Sequence, residues 1–459
     1  MQINKPLRIA FIIIAWLTLS GRSCTETTIT TGVDSAQKIS ATAGNFEGVL
    51  DDNDQFGSAA ANIGDLNADG VIDLAVGAPL DDDGGTDRGA IWILLMNDDG
   101  TVDIEQKISD TEGSLSLIDV LDDNDQFGSA VAELADLNGD GIFDLAVGAP
   151  LDDDGGTDRG AVWILFLDTD GTVLFRQKIS DTNIGLIDII EDNDEFGGAI
   201  ARIGDLNNDL LPEIAVGARL SDDGGGDRGA VWILFLAADG TVSSFQKISD
   251  TEGGFAGTLA DGDYFGSSVA GIGDLDADGI EDIAVGAIGD DDGGTDRGAV
   301  WILFMNADGT VRFEQKLSET NGEFGGGLND NDHFGSALAG IGDYNGDGIV
   351  DIAAGAEQDD DGGTDRGAVW ILFMDSNGEI ISKTKISSTA GDFTGTLTDG
   401  SLFGSALAVI AALNLDGIRD IAVGSRLDDD GGTDRGAIWS LFMQPTDTDI
   451  DFTLFDNKE

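Results

Sequence analysis

The chain repeats itself, and the repeat limits the possible folds more than any other feature. Phe-Gly recurs at Phe56, Phe127, Phe196, Phe265, Phe334 and Phe403, with a first interval of 71 residues and then intervals of 69. Trp92, Trp163, Trp232, Trp301, Trp370 and Trp439 keep step with it. A unit that recurs six times at this length is one supersecondary module that buries its faces against its neighbours. Each copy reads as four strands, in the first copy Phe56–Ile63, Asp73–Ala78, Gly89–Met96 and Thr101–Ser109. Runs such as Val162–Leu167 are apolar without alternation, the pattern of a strand covered on both sides. Asp99-Gly100, Asp170-Gly171, Asp239-Gly240, Asp308-Gly309 and Asn377-Gly378 supply tight turns between the third and fourth strands. Beyond the first 23 residues no segment has helical periodicity.

One four-stranded antiparallel unit cannot bury both faces, whereas six set radially can, so the expected fold is an all-β propeller over residues 35–443. The termini support closure of the ring. The first repeat is preceded by a fourth-type strand, Gln37–Ser40, and the last repeat stops after a third-type strand at Met443. Pairing the two completes the sixth blade; Asp451–Phe455 is the competing source of that outer strand.

Between the first and second strands lies an acidic loop. Its copies hold Asp65, Asn67, Asp69 and Asp73; Asp136, Asn138, Asp140 and Asp144; Asp205, Asn207, Asp209 and Glu213; Asp274, Asp276, Asp278 and Asp282; and Asp343, Asn345, Asp347 and Asp351. Alternate oxygen-bearing side chains converge when a short loop curls, and a late carboxylate can close the shell. Calcium, which takes about 6–8 oxygens, suits such a loop better than magnesium, which demands tighter octahedral geometry. The alternative is a set of Asx turns with solvated acids. Leu210 replaces the loop glycine in the third copy, and Ala412 the first acid in the sixth, beside Asn414, Asp416 and Asp420. The expectation is four good sites, one weak and one lost.

Composition removes several function classes. With 23 Lys+Arg against 88 Asp+Glu the net charge is -65, which repels phosphate backbones and excludes nucleic-acid partners. A single Cys permits no internal disulfide and no Cys-based zinc site, and a single His no multi-His centre. At 41% hydrophobic residues the acidity does not signal disorder. Residues 1–23 contain no acid and place Lys5 and Arg8 before the apolar run Ile9–Leu19, as a signal peptide does. Gly21 and Ser23 precede Cys24, so lipid attachment at Cys24 and plain secretion both stand open, and no later segment reaches transmembrane length. Residues 24–34 read as a linker and 444–459 as an acidic tail.

Phe-Gly, the acidic loop and Gly77-Ala78-Pro79 or Gly148-Ala149-Pro150 together resemble the FG-GAP repeat of integrin alpha-chain propellers and their bacterial relatives. The resemblance covers essentially the whole of the chain after Cys24. It implies a propeller with calcium in the loop joining strands one and two, and an extracellular adhesion or ligand-binding module whose partner is a protein or a glycan. It also implies seven blades as the alternative to the six counted here. The proline is replaced in the last four copies by Arg219, Ile288, Glu357 and Arg426.

Hairpin geometry puts the acidic loops and the Asp-Gly turns at one end of the ring. At the other end lie the Asp81–Gly89 segment and its copies, where Arg88, Arg159, Arg228, Arg297, Arg366 and Arg435 recur among acids. Two readings apply there: local Asp–Arg pairing, or a polyanionic rim for cations or a basic partner. The tryptophans read as core, and His333 as a solvent-facing loop residue. No Ser-His or Cys-His nucleophile is available, and the many equivalent acids single out no hydrolytic pair. The reading is a non-enzymatic interaction module, secreted or at the cell surface, including as an outer-membrane lipoprotein. A carboxylate hydrolase and a structural envelope protein are the rival classes.

Overall fold

A computed structural model describes residues 32–114, 121–182 and 189–444. Among these there is no helix, and the strands fall into six four-stranded antiparallel sheets, the six blades of one propeller. The first blade uses Ala60–Asn62, Leu74–Ala78, Ala90–Met96 and Val102–Ser109. Its third strand is buried at every position because both of its faces meet apolar neighbours. Six clusters fill the spaces between adjacent blades; in one, Ile91 and Ile93 of the first blade pack with Val147, Trp163 and Leu165 of the second.

The ring closes between the chain's ends. Val33–Ser40 pairs antiparallel with Ala437–Met443, with Lys38 opposite Trp439 and Ile39 opposite Ile438. The strand begins at Val33, inside the span read as linker, and Val33 is itself buried. Asp451–Phe455 lies outside the described residues.

The first strands are shorter than expected in three blades. Phe56 does not enter the strand; it bridges to Gly436 of the preceding blade, and Phe127 bridges to Gly89. The motif glycines form the same joint in every blade. A Cβ on Gly77 would sit 2.0 Å from the carbonyl oxygen of Gly128, and one on Gly424 would sit 2.1 Å from that of Gly57. Each Gly-Ala glycine therefore abuts the Phe-Gly glycine of the next blade, a separation that no side chain tolerates. Asp-Arg-Gly completes the joint: Phe127 N–H donates to Arg88 O at 2.9 Å, and Phe56 N–H to Arg435 O at 2.9 Å. The tripeptide is thus a clamp between blades.

Candidate metal loops and the charged ends of the ring

Each acidic loop is a nest of short hydrogen bonds. In the first, the N–H groups of Asp69 and Gly70 donate to the two oxygens of Asp65, and Asp69 N–H also to Asn67 Oδ1, all at 2.9 Å. Val71 N–H donates to Asp69 Oδ1 at 2.8 Å. The closing acid is fixed at the base: Asp73 accepts from Leu66 N–H at 2.8 Å and from Met96 N–H, at the end of the third strand, at 2.9 Å. This ties the loop to the sheet. Asp282 and Asp351 are held by the same pair of donors.

Asx turns of this kind leave part of each carboxylate's acceptor capacity free, since an ionised carboxylate has about four acceptor positions. Two loops bring three acids together. Oxygens of Asp205, Asp209 and Glu213, and of Asp274, Asp276 and Asp282, lie within 4.8 Å of one another. The longer Glu213 reaches across the third loop, where the glycine is lost and Leu210 stands exposed at φ 76. In the first, second, third and fifth loops the second ligand position is Asn, whose amide donates to the next acid; Asn67 does so to Asp69 at 2.8 Å. In the sixth, Leu413 N–H and Met443 N–H hold Asp420, while Asn414 and Asp416 stand exposed.

Burial governs the charge of the closing acids. It pushes Asp73 and Asp351 up to about 6, and Asp144, Glu213 and Asp282 up to about 7. Asp144 Oδ1 and Asp276 Oδ1 are buried and have no hydrogen-bond donor. Orphaned acceptors within an oxygen-rich loop fit a hard divalent cation, which would satisfy them. The fourth loop holds one departure that sequence reasoning missed. Arg312, on the fourth strand of the same blade, puts Nη2 on Asp276 Oδ2 and 3.0 Å from Asp278 Oδ2.

The other end of the ring treats its acids differently. Arg88 donates to Asp110 at 2.7 Å and to Asp123 at 2.9 Å, and Arg435 carries the same bond to Asp52 across the ring closure. Lysines of the Gln-Lys-Ile-Ser segment do more. Lys107 sits 2.6 Å from Asp81, 2.7 Å from Asp83 and 5.4 Å from the Trp92 ring centroid. Lys38, Lys178, Lys316 and Lys385 do likewise in other blades, and Lys247 holds Asp223 where Ser221 replaces the partner acid. Local pairing is therefore the arrangement at this end, with Lys as well as Arg. The six tryptophans of the repeats are buried as expected. His333 is half-buried at φ 54, with Nδ1 enclosed and unpartnered, because the residue before each Phe-Gly turns inward in the left-handed region.

The molecule is thus a six-bladed β-propeller of the FG-GAP class: the FG-GAP repeat family matches residues 56–94, 127–165, 265–303 and 334–372. Within that class it is integrin-alpha-like. Integrin alpha-11 of Homo sapiens is 38% identical over 166 residues, covering 36% of this chain and 12% of that protein. Integrin alpha-2 of Bos taurus is 31% identical over 249 residues, 53% of this chain and 19% of that one. Integrin alpha-5 of Xenopus laevis is 32% identical over 245 residues, 52% and 20% respectively. The alignments thus span a fifth or less of these relatives. Among solved structures, a BBS1N chain in complex with ARL6DN aligns with a TM-score of 0.37 at 12% identity, over 88% of this chain and 98% of that one. That likeness is too loose to bear on the argument. No described helix is long and apolar enough to cross a membrane.

Proposed function

We propose that this propeller is a calcium-binding extracellular module that engages a protein or glycan ligand, as an adhesion or recognition domain without catalysis of its own. In this reading residues 1–23 direct export, and Cys24 becomes either a lipid-modified first residue or a free thiol. The carrying observation is a contrast between the two ends of the ring. At one end Lys and Arg of the chain hold a recurring set of acids, Asp81, Asp83 and Asp123 in the first copy. At the other, among the described residues, no Lys or Arg pairs with the first, second, third or fifth loop, although each buries a closing acid. Four oxygen-rich loops that each bury an acid and receive no Lys or Arg are suited to an external cation.

Asp65, Asn67, Asp69 and Asp73 would hold the first ion, and Asp136, Asn138, Asp140 and Asp144 the second. Asp343, Asn345, Asp347 and Asp351 would hold another. Asp274, Asp276, Asp278 and Asp282 form a fourth site once Arg312 swings out, and Asp205, Asn207, Asp209 and Glu213 form the weakest.

Calcium binding that favours the folded chain adds about 2.7 kcal/mol per site at a hundredfold excess over Kd. Scanning calorimetry of the chain in chelator and in excess calcium is therefore expected to give a higher Tm with calcium, and a smaller rise with magnesium. Superimposable melts, with no calcium retained after gel filtration, would refute the reading.

A further inference from the structure

A sixfold repeat predicts a sixfold axis, and at one mouth of this ring the symmetry is broken. The residue after the second strand's Gly-Ala is Pro79 and Pro150 in the first two blades, then Arg219, Ile288, Glu357 and, after Gly-Ser, Arg426. These residues follow the second strands, so they lie at the end opposite the acidic loops. Together they line an axial cavity of about 400 Å³. Gln55, Gln126 and Glu195 join them, each a non-glycine residue held at φ 55 to 56. The same backbone recurs at Tyr264, His333 and Leu402, so it belongs to the repeat.

The polar groups on the cavity are partly committed and partly open. Arg426 spends Nε and Nη2 on the two oxygens of Glu357, both at 3.2 Å. Arg219 spends only Nε, on Glu195 Oε2 at 2.7 Å; its side chain is 44% exposed. The side-chain amides of Gln55 and Gln126 are half-buried. The lining thus holds a guanidinium bonded through Nε alone among the described residues, together with two side-chain amides from other blades.

We propose that this axial mouth binds a small hydroxylated carboxylate, an acidic monosaccharide of the hexuronate class. Its carboxylate takes the outer edge of Arg219, and its hydroxyls are held by Gln55 and Gln126. The proposal rests on the ligand-binding reading above and names the chemistry of the ligand. A guanidinium edge matches a planar carboxylate with two parallel bonds, which an ammonium cannot do. Amide side chains both donate and accept, as vicinal hydroxyls require. The four charged residues on the cavity cancel, so a single carboxylate meets no net repulsion from the lining, whereas the chain around them carries -65. A polyanion reaching more than about 8 Å from the mouth would meet that repulsion.

Isothermal titration of the full chain in calcium-containing buffer, with glucuronate, galacturonate, glucose and polygalacturonate, tests this. One hexuronate is expected to bind per chain with saturation, glucose more weakly and the polymer not at all. Arg219→Pro, which installs the residue of the first two repeats, is expected to weaken hexuronate at least about tenfold, the worth of a charge-assisted hydrogen bond. Arg219→Lys keeps the charge and loses the fork, and is expected to fall between. Hexuronate binding that is absent, or indifferent to Arg219→Pro, overturns the proposal. A chain that takes up calcium yet binds no hexuronate overturns it while leaving the calcium reading in place.

Discussion

Arg312 decides what the fourth loop can hold. Its counterparts in the other five blades are Asp34, Asp103, Leu174, Ser243 and Ile381, so the guanidinium is peculiar to one blade. It rests on Asp276 and Asp278, two of the four oxygen ligands proposed there. A cation entering that loop must displace it or share acids with it. The arginine side chain is 40% exposed, and a pair of that kind is worth at most about 1 kcal/mol, roughly fivefold in affinity. Arg312→Gln is therefore expected to raise calcium affinity at one site by up to about fivefold and to leave the others unchanged. Equilibrium dialysis with radiolabelled calcium reads both the number of sites and their constants. An isotherm identical to that of the parent chain would mean that Arg312 does not compete.

At the scale of the strand, the ring's closure is the vulnerable joint. Ile39 is fully buried among Phe46, Leu50 and Phe56, and Lys38 bridges Asp428 and Asp430 from the far end of the sequence. Removing everything before residue 41 would uncover the third-type strand Ala437–Met443 and leave Asp428, 2% exposed, without its lysine. That truncated chain is expected to melt well below the parent or to aggregate through the open edge. An added peptide of residues 33–44 is expected to restore the Tm, as strand addition does elsewhere. A truncated chain that melts with the parent would show that the latch is dispensable. The blades, the closure and the acidic loops were legible in the sequence because a 69-residue period makes every strand and loop recur in register. The joints were not. The partners of Arg88 and Lys107 lie in other segments, so no spacing rule finds them, and Asp-Arg-Gly carried no visible meaning until Arg88 O met Phe127 N–H of the next blade. The broken symmetry of the axis was written in the lost prolines, but only the closed ring brings those positions together.

At the scale of the whole molecule, the response to pH is set by buried carboxyls at both ends of the ring. Burial raises Asp54, Asp125 and Asp332 to about 7, and Asp194 and Asp263 to about 6, from an ordinary value of 3.8. The closing acids of the metal loops are raised in the same direction. Asp154 and Asp292 run the other way: burial raises them, but the hydrogen bond and charge of Lys178 or Lys316 prevail and hold them below the ordinary value. Those two are lowered, so they do not share in the window where the raised acids act. A carboxyl whose folded pKa exceeds its unfolded one contributes stability that is complete below the unfolded value and is lost as pH rises through the folded value. In chelator, therefore, the folded chain binds more protons than the unfolded chain between about pH 4 and 7, and its Tm is expected to climb by at least about 2 °C from pH 8 to pH 5. Lower net charge adds to that rise by reducing self-repulsion. Excess calcium is expected to reverse the slope, because protons compete for the same oxygens, so that the increment due to calcium is largest at pH 8 and shrinks towards pH 5. Calorimetry across that range in both buffers checks the pair of trends. A chelated chain that loses stability on acidification would mean that the buried acids are ionised and satisfied within the fold, and an increment that does not vary with pH would mean that calcium acts somewhere other than at these carboxylates.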